Sequence, residues 1–325
     1  MFGFSARFKR VGLLWLRIGT GLAVLFWLYN VLGSDALIQA WEKTDVLLFG
    51  AAVLVQCLSY LLGSFRWLIL LRGSGVHVPF FTAFSPYYLG LFFNQFLPTS
   101  VGGDAVRVYN LYKQRYPGEG LAASTMIDRL IGLIALLILA SLAVIFAEKN
   151  VVPEAVAAAV TIVLTAFALG TLLFFSFPLP DSLVARVEKI DPHTFLGRLF
   201  RVLRVCRAYK GSSLLLVSSL FLSFVLQGSM ILVYIILSRA LALDISLTML
   251  FIAVPLVFVA TALPLTIGGL GVREGVLVVV LGLFGVGIVP SGQLASVYLI
   301  VLWLSVIPGG WPFIFKRGIQ KYGQT

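Results

Sequence analysis

The sequence predicts an all-α polytopic membrane protein, with about six full transmembrane helices and two broken, re-entrant helical hairpins in an inverted repeat. Three observations predict it: an apolar composition, the spacing of long and short apolar runs, and a motif that occurs twice. Of 325 residues, 60% are hydrophobic and 11% charged. Soluble domains are nearer half apolar and a quarter charged, so water is not the solvent for most of this surface. The charges cluster between long apolar stretches.

Six runs are long enough to cross a bilayer as a helix, which takes roughly 20 residues. They are Val11–Leu32, Val46–Leu71, Leu121–Ala147, Val152–Phe175, Ser213–Leu237 and Leu294–Phe315. Val11–Leu32 exceeds a signal-peptide core and has no small-residue cleavage site after it, so it is expected to remain as the first helix. Three shorter runs, Phe80–Leu97, Leu247–Leu263 and Val272–Val289, flank Pro/Gly-rich interruptions. The chain reads as one transmembrane domain over 1–325. Repeat one covers about 46–147 and repeat two about 213–315, joined through a basic connector at 178–211.

The net charge is +11. The Lys and Arg residues sit in loops beside apolar spans, where they set topology and meet anionic lipid, so no nucleic-acid partner is expected. Alternate loops are basic (Arg7, Lys9 and Arg10; Arg72; Lys113 and Arg115; Arg186 through Lys210; Lys316, Arg317 and Lys321). The intervening loops, with Asp35, Glu42, Lys43, Asp45, Glu148, Lys149, Glu154 and Asp244, are mildly acidic. Both termini are therefore expected in the cytoplasm of a cell-membrane protein. Within the connector, Leu196, Leu199, Phe200 and Leu203 recur at helical spacing, with Arg198, Arg201 and Arg204 on another face. This reads either as an amphipathic helix on the inner leaflet or as a connector whose arginines enforce topology. The two cysteines, Cys57 and Cys206, and the two histidines, His77 and His193, form no metal spacing and no disulfide framework. No cofactor, metal or catalytic group is expected, and the chain is read as a non-enzyme.

The repeated motif runs Leu97-Pro98-Thr99-Ser100-Val101-Gly102-Gly103-Asp104-Ala105-Val106-Arg107 and again Leu263-Pro264-Leu265-Thr266-Ile267-Gly268-Gly269-Leu270-Gly271-Val272-Arg273. Proline ends the incoming helix because it lacks an N–H and clashes with the preceding turn. The glycine pair permits backbone angles closed to other residues and lets a ligand approach bare backbone. A new helix is expected to start near Asp104 and near Gly271, its first N–H groups unpaired and its dipole positive. Arg107 and Arg273 follow about one turn in. Each copy thus reads as an anion-binding corner with N–H groups, a hydroxyl (Ser100 or Thr266), a glycine pair (Gly102 and Gly103, or Gly268 and Gly269) and a guanidinium. Run length favours hairpins that enter from opposite faces and meet near the midplane; the charge map alone also allows full crossings.

Ionisable residues at membrane depth are costly, at about 2.5–3.5 kcal/mol or more each, and mark function. Asp104 and Arg107 are one turn apart and are expected to pair. Asp128 and Arg129 read either as a structural ion pair or as part of the site. With Glu274, the two aspartates are expected to balance an arginine cluster. Arg66, beside Trp67, is expected to snorkel to the cytoplasmic interface, and Arg17 has the same option. Gly282 and Gly285 are candidates for packing within the chain or across a homodimer.

These residues resemble the flippase-like transmembrane domain of lysylphosphatidylglycerol synthases and its stand-alone relatives. The matching text is Asn94-Gln95-Phe96-Leu97-Pro98 through Gly102-Gly103-Asp104 to Arg107, then Asp128-Arg129, then Pro264 through Gly268-Gly269-Leu270-Gly271-Val272-Arg273-Glu274-Gly275. The chain departs from the family pattern at Asp128, where Glu is usual. The resemblance implies movement of a polar lipid between leaflets, with a phospholipid, glycolipid or isoprenoid-phosphate headgroup as partner. Since Thr325 closely follows the last span, a stand-alone member without the aminoacyl-transferase domain is expected. The residues themselves also admit a secondary transporter of a small anion, an enzyme acting on a lipid phosphate, or a non-catalytic membrane partner of a cell-envelope lipid or glycan enzyme.

Overall fold

The structure is a computed structural model that describes residues 19–24, 26–27, 29–30, 33, 35, 38–97, 102–147, 152–176, 202–203, 205–206, 209–262 and 266–315. Every regular element among them is helical. The described residues of 19–43 are mostly helical and precede α1 (Val46–Gly73). Then come α2 (Phe80–Asn94), α3 (Gly102–Lys113), α4 (Gly118–Ile145) and α5 (Glu154–Ser176). A 3₁₀ turn at Tyr209–Gly211 leads into α6 (Ser213–Ala240), α7 (Leu247–Ala262), α8 (Val272–Leu283) and α9 (Ile288–Phe315).

Four described helices are long and apolar enough to cross a membrane: α1, α4, α6 and, over Ile288–Trp311, α9. Their lipid-ready character shows in exposed side chains such as Leu54, Leu58 and Phe65 on α1 and Leu214, Val217 and Phe221 on α6. This is a multi-pass membrane protein. Arg17, the motif residues Pro98, Thr99, Ser100, Val101, Leu263, Pro264 and Leu265, and most of the expected connector helix lie outside the described residues. At the connector's end, Cys206 packs in a cluster with Leu70, Ala123 and Ile127. Tyr209 donates its hydroxyl to the Leu70 carbonyl. Burial pushes the Cys206 thiol up to about 11, so it stays protonated and unreactive at neutral pH.

The two series of four helices match in length. α1 and α6 each have 28 residues. α2 has 15 and α7 has 16. α3 and α8 each have 12. α4 and α9 each have 28. Each series therefore holds two long helices around two short ones.

The opening helices of the two series, α1 and α6, form the most extensive helix pairing. Its contacts run in opposite senses. The Asp45 N–H donates to the Ala240 carbonyl at 2.9 Å. The Ser59 and Ser229 hydroxyls meet at 2.7 Å. Arg66 Nη1 donates to Ser223 Oγ at 2.8 Å. A Cβ on Gly73 would lie 2.5 Å from Leu215 Cδ1. Numbers rise along α1 as they fall along α6, so the counterpart helices are antiparallel. A Ser59→Cys, Ser229→Cys pair should therefore cross-link under mild oxidant in a background lacking Cys57 and Cys206. A Ser59→Cys, Ser219→Cys pair should not, as read by mobility on a non-reducing gel.

The short helices interlock the series. α2 packs on α9, where the Tyr88 hydroxyl donates to the Ser305 carbonyl and the Tyr88 backbone lies against Gly309. In the same way α7 packs on α4, bringing Ile252 against Ala140. The main apolar core runs through both series, from Ala52 and Tyr60 to Tyr234, Leu277 and Tyr298. Gly282 and Gly285 pack against nothing among the described residues: a Cβ at either position would meet nothing within 4 Å. Gly285, at φ +84, turns the chain out of α8 instead.

Candidate functional site

The two copies of the motif build different local structures. Gly102 and Gly103 are already helical and open α3. Their use is close approach: a Cβ on Gly103 would collide with the Gly90 carbonyl of α2, and one on Gly102 would lie 2.5 Å from Leu97 Cβ. Gly268, Gly269 and Gly271 precede α8 at φ +61, +73 and +80. They adopt the left-handed angles expected of both pairs. The difference follows from the next residues. Asp104 and Ala105 suit a helical first turn, whereas Gly271 supplies a third unhindered position at the equivalent of Ala105.

The two breaks touch. A Cβ on Gly268 would lie 2.7 Å from the Gln95 carbonyl oxygen and 2.9 Å from Gln95 Cα. Both open onto one cavity of about 310 Å³ between the series. α1 supplies Gln56, Tyr60 and Arg66, and α2 supplies Tyr87, Asn94 and Gln95. The first motif contributes Gly103, Asp104 and Arg107, and α4 adds Asp128 and Arg129. From the second series come Gln227, Gly268, Gly269, Arg273 and Tyr298. Thus Gly103, Asp104, Arg107, Asp128, Arg129, Gly268, Gly269 and Arg273 share one wall-to-wall space. Gly102, Thr266 and Glu274 do not line it, and Ser100 lies outside the described residues. Thr266 is buried close to Gly21 instead.

Five charged side chains form a chain of alternating sign. Arg66 Nε donates to Asp128 Oδ1 at 2.8 Å. Asp128 Oδ2 accepts from Arg107 Nη2 at 3.1 Å. The same Nη2 lies 3.0 Å from Asp104 Oδ1. Asp104 Oδ2 in turn accepts from Arg129 Nε. The Arg107 guanidinium stacks 4.6 Å from the Trp67 ring centroid and 5.1 Å from that of Tyr87. Each buried ion costs several kcal/mol to desolvate, and it is offset here because every carboxylate faces two cations.

Two expectations are corrected by this chain. Asp128 and Arg129 do not pair with each other; being adjacent on a helix, they point about 100° apart, and each reaches a different partner. Arg66 does not snorkel but is buried against Asp128 and Ser223. Sequence reasoning missed Arg66, Gln56 and Gln227 as cavity residues. A signal was present: Gln56, Ser59, Tyr60, Gly63, Arg66 and Trp67 recur at spacings of three and four, the stripe of an interior-facing helix.

The helix starts are less open than expected. The Gly103 N–H donates to Asn94 Oδ1 at 2.7 Å, and the Gly271 N–H to Glu274 Oε2 at 2.7 Å. Glu274 is thus a cap that closes the α8 terminus, which is why it faces away from the cavity.

The two arginine corners also differ in charge. Asp128 is the eleventh residue of α4, and Tyr298 the eleventh of α9. Where Arg107 meets a carboxylate, Arg273 therefore meets a ring, 5.8 Å from its centroid. Arg273 Nη2 donates to the Gly268 carbonyl at 3.1 Å, but its Nε and Nη1 are buried without a hydrogen-bond partner. Among the described residues, no carboxylate lies within 4.0 Å of it. Four arginines and two aspartates line the cavity, which is therefore net positive.

No metal cluster of His, Cys, Asp or Glu occurs among the described residues. Comparison with curated proteins and with solved structures gave no match. A family model does match: that of the lysylphosphatidylglycerol synthase transmembrane region, over residues 14–309. Matched over nearly its whole length, a stretch that includes both glycine-arginine breaks, the chain belongs to the lysylphosphatidylglycerol synthase transmembrane-region family.

Proposed function

We propose that this protein is a lipid translocase that carries the polar headgroup of an anionic or glycosylated lipid between leaflets while the tails stay in the bilayer. Membership of a lipid-handling family supports the lipid. The observation that carries the reading is that both arginine-bearing breaks open onto one net-positive cavity between the two series. A polar cavity of this kind removes the cost of taking a charged headgroup through hydrocarbon.

On this reading α2–α3 and α7–α8 are re-entrant hairpins. At 1.5 Å per residue, the 12 residues of α3 or α8 extend about 18 Å, well short of a hydrocarbon core of roughly 30 Å. The antiparallel pairing of α1 with α6 supports an inverted repeat. On the same reading the first apolar run, whose described residues within 19–43 are helical, and α5 bring the four long helices to six full spans. The loop charges support cytoplasmic termini on both ends of a cell-membrane protein.

The test is headgroup accessibility in proteoliposomes holding a labelled anionic phospholipid. Wild type should move it faster than empty vesicles, and Arg273→Ala and Arg107→Ala should each slow it by about tenfold or more. Variants that move lipid as fast as wild type sink the proposal. Uptake of free phosphate without lipid movement favours a secondary anion transporter instead.

A further inference from the structure

We propose that Arg273 seats a singly charged phosphodiester whose headgroup carries hydroxyls rather than amines, and that cationic aminoacyl headgroups are rejected. The proposal rests on the cavity being a headgroup site. It starts from the different fates of the two arginines. Arg107 spends its charge on Asp104 and Asp128. Arg273 is 7% exposed and lines the same cavity, with three of its five N–H bonds, those on Nε and Nη1, unpartnered. A desolvated cation with no carboxylate in contact, only the charge of the neighbouring Glu274, is costly, and a ligand oxyanion lowers that cost. The bond from Nη2 to the Gly268 carbonyl holds the guanidinium plane in place before the ligand arrives.

The rest of the wall indicates what accompanies the phosphate. Gln56, Asn94, Gln95 and Gln227 bring four carboxamides into the cavity. The Oε1 atoms of Gln56 and Gln95 are buried acceptors without donors. Hydroxyl groups supply such donors. An ammonium would too, but it finds no free carboxylate on the cavity wall, because Glu274, whose Oε1 is unpartnered, does not line it. Asp128 is held by Arg66 and Arg107, Asp104 by Arg107 and Arg129, and Glu274 caps Gly271 behind the wall. Even with Glu274 counted, four arginines and three carboxylates sum to a positive site. An amine-bearing headgroup would therefore enter against like charge.

Counted from the helix start, Tyr298 stands on α9 where Asp128 stands on α4, and this suggests the decisive variant. Tyr298→Asp puts on α9 what Asp128 is on α4. It should pair with Arg273 and take the place of the ligand's charge.

The experiment uses the full chain in neutral maltoside micelles and titration calorimetry. The probes are dihexanoylphosphatidylglycerol, dihexanoylphosphatidylcholine, the lysyl ester of dihexanoylphosphatidylglycerol, and the tail-less glycerophosphoglycerol. The phosphatidylglycerol should bind at least about tenfold more tightly than each of the other three. Arg273→Gln and Tyr298→Asp should each weaken it by about tenfold or more, with Arg273→Lys in between. Thermal unfolding identifies any variant that has lost its fold; the conclusion is then read from the other two. The seat is overturned if folded variants bind phosphatidylglycerol as wild type does. The headgroup class is overturned if the lysyl ester binds as tightly as the parent, and the lipid source if glycerophosphoglycerol does. Failure of translocation itself looks different: the binding pattern above would hold while proteoliposomes moved no lipid.

Discussion

Asp128→Asn is expected to destabilise the protein by about 3–5 kcal/mol, the cost of leaving buried charge uncompensated. The side chain is only 5% exposed, and its two oxygens hold two different arginines. Asparagine keeps the shape and loses the charge, so Arg107 keeps only Asp104 and Arg66 stays buried with no carboxylate in contact. Asp104→Asn should cost less, because its outer partner Arg129 is 35% exposed and can be hydrated. Adding Arg66→Leu to Asp128→Asn should recover part of the loss, since it removes the cation left without a partner. The two changes will then be non-additive. Thermal unfolding in detergent micelles gives the three values. Equal stability of Asp128→Asn and wild type would show that the five-charge chain is not what holds α1, α3 and α4 in place.

Gly268→Ala is expected to have the second largest effect, through backbone rather than charge. Its φ of +61 costs an alanine about 1–2 kcal/mol. The added methyl would also lie 2.7 Å from the Gln95 carbonyl oxygen, and overpacking adds about 1–3 kcal/mol. The neighbour is backbone, so no rotamer change relieves the clash. The breaks would be forced apart, widening the gap between Arg273 and the first motif. Lipid movement in proteoliposomes should fall with stability. Gly282→Ala is the matched comparison. It lies within α8 with nothing inside 4 Å, so alanine should stabilise by about 0.5–1 kcal/mol. If both alanines behave alike, the close approach at Gly268 is not a constraint.

Much of the architecture was legible because membrane helices announce themselves by length and polarity. α1 begins at Val46 and α2 at Phe80, as the apolar runs have them, and the repeat was visible as text. The i,i+3 pairing of Asp104 with Arg107 was readable from helix geometry alone. What was not readable depended on which faces meet. Arg66 finds Asp128 across 62 residues of sequence, through the packing of α1 on α4. The same Gly-Gly letters gave a helix start in one copy and left-handed turns in the other, because the neighbours at Ala105 and Gly271 decide the backbone. The correspondence of Asp128 with Tyr298 needed helix boundaries, since the helix starts at Gly118 and Ile288 are not offset by the same number as the motifs.

The alternating chain from Arg66 through Asp128, Arg107 and Asp104 to Arg129 lies wholly within the first half of the polypeptide, and Ser223, which bonds Arg66, comes later. A ribosome delivering this chain to the membrane has thus supplied all five groups before α6 is made. The leading half can enter the bilayer with its ionic load already matched, and need not wait for the trailing half to neutralise it. Arg273 comes after that chain is complete and before Tyr298 of α9 closes over it. Among the described residues it is the one cavity arginine without a carboxylate in contact.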